Sequence, residues 1–172
     1  MRRYPRLTIV PFRPEDQQAV RALILAGLEE HWGMLDESKN PDLDNIASSY
    51  MDGVFLVAWQ DEEIVGTGAF RPISDDTVQI VRMSVKREKR RQGIGREILT
   101  ELCWRAYHQG YTWAILETTA SWNDAIAFYR ACGFHVTHEE AGDIYFAMNL
   151  REWAKREAQP PTGSNAPLRA SL

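Results

Sequence analysis

Apolar and polar positions along this 172-residue chain change their period several times, and each change marks an element. Leu7-Thr8-Ile9-Val10-Pro11-Phe12 predicts a first strand, and Arg13-Pro14-Glu15-Asp16 then supplies the proline and acidic residues that open helices well. Val20, Leu23, Ile24 and Leu28 fall at helical spacing. They predict an amphipathic helix to about Glu30, broken at His31-Trp32-Gly33, and Pro41 to Tyr50 predicts a second, shorter helix closed by Gly53. Val54 to Trp59 and Glu63 to Phe70 read as strands joined at Gln60-Asp61-Glu62, a connection short enough for an antiparallel hairpin. After Pro72 and the polar turn Ser74-Asp75-Asp76, Thr77 to Val85 alternates as a fourth strand.

From Gly95 onward, Ile98, Leu99, Leu102, Cys103 and Ala106 mark one face of a helix that Gly110 stops. Trp113-Ala114-Ile115-Leu116 is a short apolar run of the kind found in central buried strands. Asn123 stands where an N-cap is wanted, and Ala125, Phe128, Tyr129 and Cys132 line one side of a short helix ended by Gly133. Phe134 to Glu139 and Asp143 to Leu150 complete a hairpin across Glu140-Ala141-Gly142. The predicted order is strand, two helices, three strands, helix, strand, helix, two strands. Residues 1–154 read as one domain, and the remainder from about Lys155, with Pro160-Pro161-Thr162-Gly163-Ser164, as a flexible tail.

Composition narrows the function. A hydrophobic content of 44% and a charged content of 26% belong to an ordinary globular domain, and a net charge of -4 weighs against nucleic acid as a partner. The basic run from Lys86 to Arg91 therefore needs a local explanation. No stretch approaches the roughly 18 apolar residues of a membrane span, and Met1-Arg2-Arg3-Tyr4-Pro5-Arg6 has no signal-peptide apolar block, so a cytoplasmic protein with no membrane partner is expected. Cys103 and Cys132 sit inside apolar helical patterns and read as two buried thiols, not as a disulfide or a nucleophile. His31, His108, His135 and His138 have no metal-ligand spacing, so no metal is assigned.

The strongest chemical signal is Arg90-Arg91-Gln92-Gly93-Ile94-Gly95, lying between a predicted strand and a predicted helix. Glycines let the backbone turn tightly and approach a ligand, so that several N–H groups and the positive end of the helix meet at one place. A Walker loop is excluded because no Gly-Lys-Ser or Gly-Lys-Thr follows, and a Rossmann fingerprint fails because its further glycine would fall at Ile98. The pattern Arg90-x-x-Gly93-x-Gly95 resembles the pyrophosphate-binding motif of the GNAT superfamily of acyl-CoA-dependent N-acetyltransferases. The resemblance covers about residues 6 to 150 in element order and is densest over residues 77 to 134. Ile80-Val81-Arg82-Met83-Ser84-Val85 is similar to the family's fourth strand, and Phe128-Tyr129-Arg130-Ala131-Cys132-Gly133-Phe134 to its Tyr-x-x-x-Gly-Phe helix end.

That resemblance implies an α/β (α+β) fold: a mixed, mostly antiparallel seven-stranded sheet flanked by about four helices, with a splay between strands four and five. It implies acetyl-CoA as co-substrate, bound by the backbone of Met83, Ser84 and Val85 and by Arg90, Arg91, Gln92, Gly93, Ile94, Gly95 and Arg96. Asn123 would contact pantetheine, and the basic run would attract the phosphates. Tyr129 matches the tyrosine placed beside the coenzyme sulfur as general acid. Glu117 is the first candidate for general base, with Glu139, Glu140 and Asp143 as rivals and His138 as an assistant, while Trp32 would cap the acceptor pocket and Trp122 would stand beside the pantetheine channel. The acetyl group would pass directly to a primary amine, a small molecule or a protein amine, in a ternary complex. Two competitors keep the fold: an inactive CoA-binding module, and an enzyme for another acyl-CoA such as succinyl-CoA. A homodimer is compatible with the family.

Overall fold

The computed structural model describes residues 6–159. Seven strands form one sheet: β1 (Leu7–Pro11), β2 (Val54–Gln60), β3 (Glu63–Pro72), β4 (Thr77–Val85), β5 (Trp113–Thr119), β6 (His135–Glu140) and β7 (Asp143–Asn149), in the order β1-β2-β3-β4-β5-β7-β6. Every neighbouring pair is antiparallel except β4 and β5, which are parallel and are joined over the sheet by a helical crossover. The helices are α1 (Gln17–Trp32), α2 (Ile46–Ser49), α3 (Ile94–His108), α4 (Asn123–Ala131) and α5 (Leu150–Glu157). The β6–β7 turn places Ala141 and Gly142 at φ 51° and 85°, the pair of left-handed residues that a tight hairpin of matching twist demands.

β2 is buried on both faces, which is why it reads as a continuous apolar run. Leu56 and Ala58 face a core built with Ile98 and Leu102 of α3 and with Phe146 and Met148 of β7. Phe55 and Val57 face a second core with Val20, Ile24 and Leu25 of α1 and with Leu43, Ile46 and Tyr50. On this second side the helical cover ends near β4; farther along the sheet Glu117 of β5 and His138 of β6 stay exposed. Among the described residues no helix is long and apolar enough to cross a membrane.

β4 is the irregular strand. It pairs with β5 only at Thr77, Val78 and Gln79, after which the two part. Its pairing with β3 shifts between Thr67↔Ser84 and Ala69↔Val81, so Gly68 alone opposes both Arg82 and Met83, and Arg82 takes φ 55°. This is a β-bulge in the free half of the strand.

The structure corrects several boundaries. α1 runs on through His31 and Trp32 and ends only at Gly33, whose φ of 72° lets its N–H reach Glu29 O. Pro41 to Tyr50 is not one helix. Asn45 accepts a bond from Ser48 N–H, and this local cap divides the segment into a 3₁₀ turn at Pro41–Leu43 and the four-residue α2. Asn123 is not the N-cap of α4: Trp122 holds that position without a side-chain bond, because Trp122 N–H closes a turn onto Thr119 O and helical bonding starts with Ile126 N–H to Trp122 O. Lys155 belongs to α5, not to a tail. Asn149 caps this helix by accepting from Arg151 and Glu152 N–H, and Trp153 buries against Trp104 of α3 with ring centroids 4.8 Å apart. The expected tail beyond it, from Pro160, lies outside the described residues. Cys132 is only half-buried, whereas Cys103 is buried and its thiol pushed up by that burial.

Gly68 lies where α3 packs tightly on the sheet: a Cβ there would lie 2.6 Å from both Ile98 Cγ2 and Met83 Sδ. Gly68→Ala is expected to lower stability by about 2 kcal/mol and Tm by roughly 4–8 °C. Differential scanning calorimetry would check this, and an unchanged Tm would show that α3 has room to move off.

Candidate active site

The loop between β4 and α3 has the form required of an anion cradle. Arg91 and Gly93 both take left-handed backbone, at φ 62° and 81°, and Arg91, Gln92 and Gly93 are exposed. Such alternating dihedrals turn successive N–H groups toward one point. No side chain caps α3, and its first helical bond is Glu97 N–H to Gly93 O at 3.1 Å. The N–H groups of Ile94, Gly95 and Arg96 precede that bond and have no partner within the helix. A Cβ on Gly93 would meet no atom within 4 Å, so a side chain there would project into the open space before the loop.

Three cations of the basic run around this loop have protein partners. Arg90 donates from Nε to Val85 O at 3.0 Å and from Nη2 to Glu30 Oε2 at 2.8 Å, and Arg87 Nε reaches the other oxygen of Glu30 at 3.2 Å. Lys86 pairs with Glu63. These cations tie the loop to the end of α1 and to β3. Lys86, Arg87 and Arg90 are thus engaged within the protein, and the loop presents its main chain together with the exposed Arg91.

The parting of β4 from β5 opens a cleft directly beside this loop. Met83 points toward α3 and Ser84 toward α1, where its Oγ would lie 3.1 Å from a Cβ on Gly27. Val85 packs with Met83 against the α3 core. The side chains of this stretch are thus engaged elsewhere, leaving the β5-facing backbone of Met83, Ser84 and Val85 as what it offers to the cleft. Tyr129 of α4 sits among Phe128, Phe134 and Phe146 on the α3 side. Burial, with a smaller contribution from Cys132, raises the pKa of its phenol, which keeps the proton in place. Asn123 is exposed in the first turn of α4.

Glu117 approaches the cleft from the opposite face. Its neighbour Leu116 packs in the α3 core, so alternation turns Glu117 to the α1 side. There it lies directly across from Tyr145, whose pKa is raised chiefly by the neighbouring Glu117 carboxylate. His138, next in the same cross-strand row, stacks on Tyr145 with centroids 4.3 Å apart and planes 6° apart. Tyr145 escaped sequence reasoning because only the register links it to Glu117. The structure also joins two residues that the sequence marked separately: Trp32 and Trp122 have centroids 5.8 Å apart, with the His31 ring in contact with both. Desolvation lowers the His31 pKa, and Trp122 Nε1 is buried with no partner among the described residues.

A second missed group lies at the bulge. The Arg82 guanidinium donates to both carboxylate oxygens of Asp42, and Tyr50 donates to Asp42 Oδ2 at 2.6 Å. Burial alone would raise the Asp42 carboxyl; the bonds from Arg82 and Tyr50 outweigh it and hold the group below its ordinary value. Burial and the Asp42 carboxylate push Tyr50 up to about 12. A charge in mid-strand, Ile80-Val81-Arg82-Met83, was the available signal.

Comparison with known proteins agrees with this geometry. The family model described as acetyltransferase (GNAT) domain matches residues 51–136. The chain belongs to the GNAT acetyltransferase family. N-acetyltransferase 8B of Homo sapiens is 31% identical over 129 residues, covering 70% of this chain and 53% of that protein. N-acetyltransferase 8 of Homo sapiens is 31% identical over 122 residues, covering 66% and 50%. The chain thus spans about half the length of the curated relatives it matches. Among solved structures, a GNAT-family acetyltransferase from Staphylococcus aureus Mu50 superposes with a TM-score of 0.78 at 21% identity, over 84% of this chain and 99% of that one. The PaiA N-acetyltransferase of Thermoplasma acidophilum, in complex with coenzyme A, gives 0.74 at 18% identity, over 84% and 99%.

Because the folded pKa of Asp42 lies below the ordinary value near 4, its contribution is complete above that value and lost as pH falls through the lower, folded one. Asp42→Asn is expected to cost about 2 kcal/mol at neutral pH. Denaturant titrations should show the gap to wild type closing in acid; a gap independent of pH would remove the carboxylate from this account.

Proposed function

We propose that the chain is an N-acetyltransferase that moves acetyl from acetyl-CoA directly to a primary amine within a ternary complex. The observation that carries this reading is one junction: the parting of β4 from β5 after Gln79 opens beside a helix N-terminus whose first N–H groups have no helical partner. The family membership and the N-acetyltransferase names of the curated relatives support it, as does the coenzyme A held by the PaiA structure.

In this reading acetyl-CoA supplies the activated thioester, and its pyrophosphate rests on the main-chain N–H groups from Arg91 to Arg96. Asn123 hydrogen-bonds pantetheine. Backbone N–H groups near Met83 to Val85 donate to the thioester carbonyl, where aimed donors are typically worth about 3–4 kcal/mol of barrier. Glu117 takes a proton from the amine, directly or through water. The amine nitrogen bonds to the acetyl carbon as the carbon–sulfur bond breaks, Tyr129 passes its phenolic proton to the leaving sulfur, and the second proton of the nitrogen restores the phenol through water. Glu117 lies on one face of the sheet and Tyr129 packs on the other, so base and acid act from opposite sides of the cleft. The acidic hairpin residues Glu139, Glu140 and Asp143 favour an acceptor that arrives as a cation.

Calorimetric titration with acetyl-CoA, succinyl-CoA and free CoA tests the donor. Wild type should bind acetyl-CoA, and Gly93→Trp, whose indole fills the space before the loop, should weaken that binding by at least ~10-fold, or 1.4 kcal/mol. No binding of any of the three by wild type would end this reading. With an amine found by thiol release, Tyr129→Phe should lower kcat about 10²-fold while leaving acetyl-CoA affinity intact; an unchanged kcat would return Tyr129 to a packing role.

A further inference from the structure

Arg82 occupies a position that strict alternation would make untenable. Val78 and Ile80 face the α3 core, and the next residue on that face would be Arg82, placing a guanidinium among apolar side chains. The bulge prevents this. By inserting one residue it sends both Val81 and Arg82 to the α1 side and returns Met83 and Val85 to the α3 core.

The cost is a left-handed backbone at a long-chain residue, φ 55°, which persists only when the surroundings over-determine it. They do so at both ends of the residue. Arg82 O accepts from Thr67 Oγ1 at 2.8 Å, and Thr67 is fully buried. At the other end Nε meets Asp42 Oδ2 at 2.9 Å, Nη2 meets Asp42 Oδ1 at 2.5 Å and Nη1 meets Asn40 Oδ1 at 3.1 Å. Tyr50 braces the same carboxylate. The Arg82 and Asp42 side chains are 18% and 17% exposed, so water screens this fork-to-fork pair poorly. It fastens the turn at Pro41–Leu43 to the half of β4 that has left β5 and has no neighbouring strand on that side.

We propose that the Arg82–Asp42 pair is a positioning device for the reaction: it sets the pitch of the bulged half of β4, and so aims the backbone N–H groups of Met83 to Val85 at the thioester carbonyl. The proposal rests on the acetyl-transfer reading above. Arg82 touches neither substrate in this scheme and acts through the backbone that follows it. The device also makes the turn at Pro41–Leu43, on the same sheet face as Glu117, move as one body with the carbonyl donors.

Isotope-edited infrared spectroscopy of carbonyl-labelled acetyl-CoA reads the aim of those donors without any acceptor. Bound to wild type, the carbonyl band should fall below its position in buffer, because aimed donors polarise the bond. Arg82→Gly keeps a residue at ease with left-handed backbone but removes the guanidinium; its band should return toward the free position while acetyl-CoA affinity, set by the α3 loop, is retained. Arg82→Lys, which restores one charge without the fork, should recover part of the shift. A folded Arg82→Gly protein with the wild-type band position would overturn the proposal. Should that variant fail to unfold cooperatively, Asp42→Asn and Tyr50→Phe decide the matter by the same criterion. Wild type that binds no acetyl-CoA, or binds it with an unshifted carbonyl, would overturn the acetyl-transfer reading itself and the proposal with it.

Discussion

Backbone hydrogen bonds in a sheet are obligatory, and a strand that leaves its neighbour exposes a row of donors and acceptors that must find other partners. β4 does this in the middle of the molecule: it stays with β3 throughout and abandons β5 after Gln79. The rest of the arrangement follows from that parting. α3 closes the parallel crossover, its N-terminus opens beside the cleft, and α4 brings Tyr129 to one side while β5 turns Glu117 to the other. The bulge at Arg82 keeps the free half of β4 at a defined pitch, with its charge drawn off to Asp42 on the α1 side.

The loop between β4 and α3 illustrates how a charge pattern and its use come apart. Lys86, Arg87 and Arg90 look like a phosphate trap along the chain, yet Glu63 and Glu30 satisfy them. Their role in the fold is to hold the loop against α1 and β3; in the proposed reading an anion then meets oriented main-chain N–H groups. Oriented dipoles need no rearrangement when a ligand arrives, which is the advantage of building the site this way. Arg90 still serves the site, since its bond to Val85 O links the loop to the last residue of β4.

The opposite face shows a complementary logic. Helices α1 and α2 cover the sheet only as far as β4, and the row of exposed Glu117, half-buried Tyr145 and exposed His138 lies beyond them, one residue from each of three adjacent strands. Cross-strand neighbours of this kind form wherever register brings them opposite, regardless of chain separation. The Trp32, His31 and Trp122 rings meet instead through helix placement, with the end of α1 reaching the turn before α4.

Local regularities were legible in the chain alone. The order of the strands and longer helices, the Gly93 loop at a strand-to-helix junction, the left-handed residue at Gly133 and the hairpin turn at Ala141-Gly142 depend on periods of two or 3.6 and on single-residue dihedral preferences. α5 was illegible because Leu150, Trp153 and Ala154 are isolated among charges, and only contact with α3 shows that they form a buried stripe. The sequence by itself therefore determined the seven strands, helices α1, α3 and α4 and the glycine loop that joins β4 to α3, through interactions between residues a few positions apart. The tertiary structure alone decided that Arg82 meets Asp42, that Glu117 meets Tyr145, and that Arg90 belongs to Glu30. Those pairings depend on strand register and helix placement across 28 to 60 residues, which no local pattern encodes.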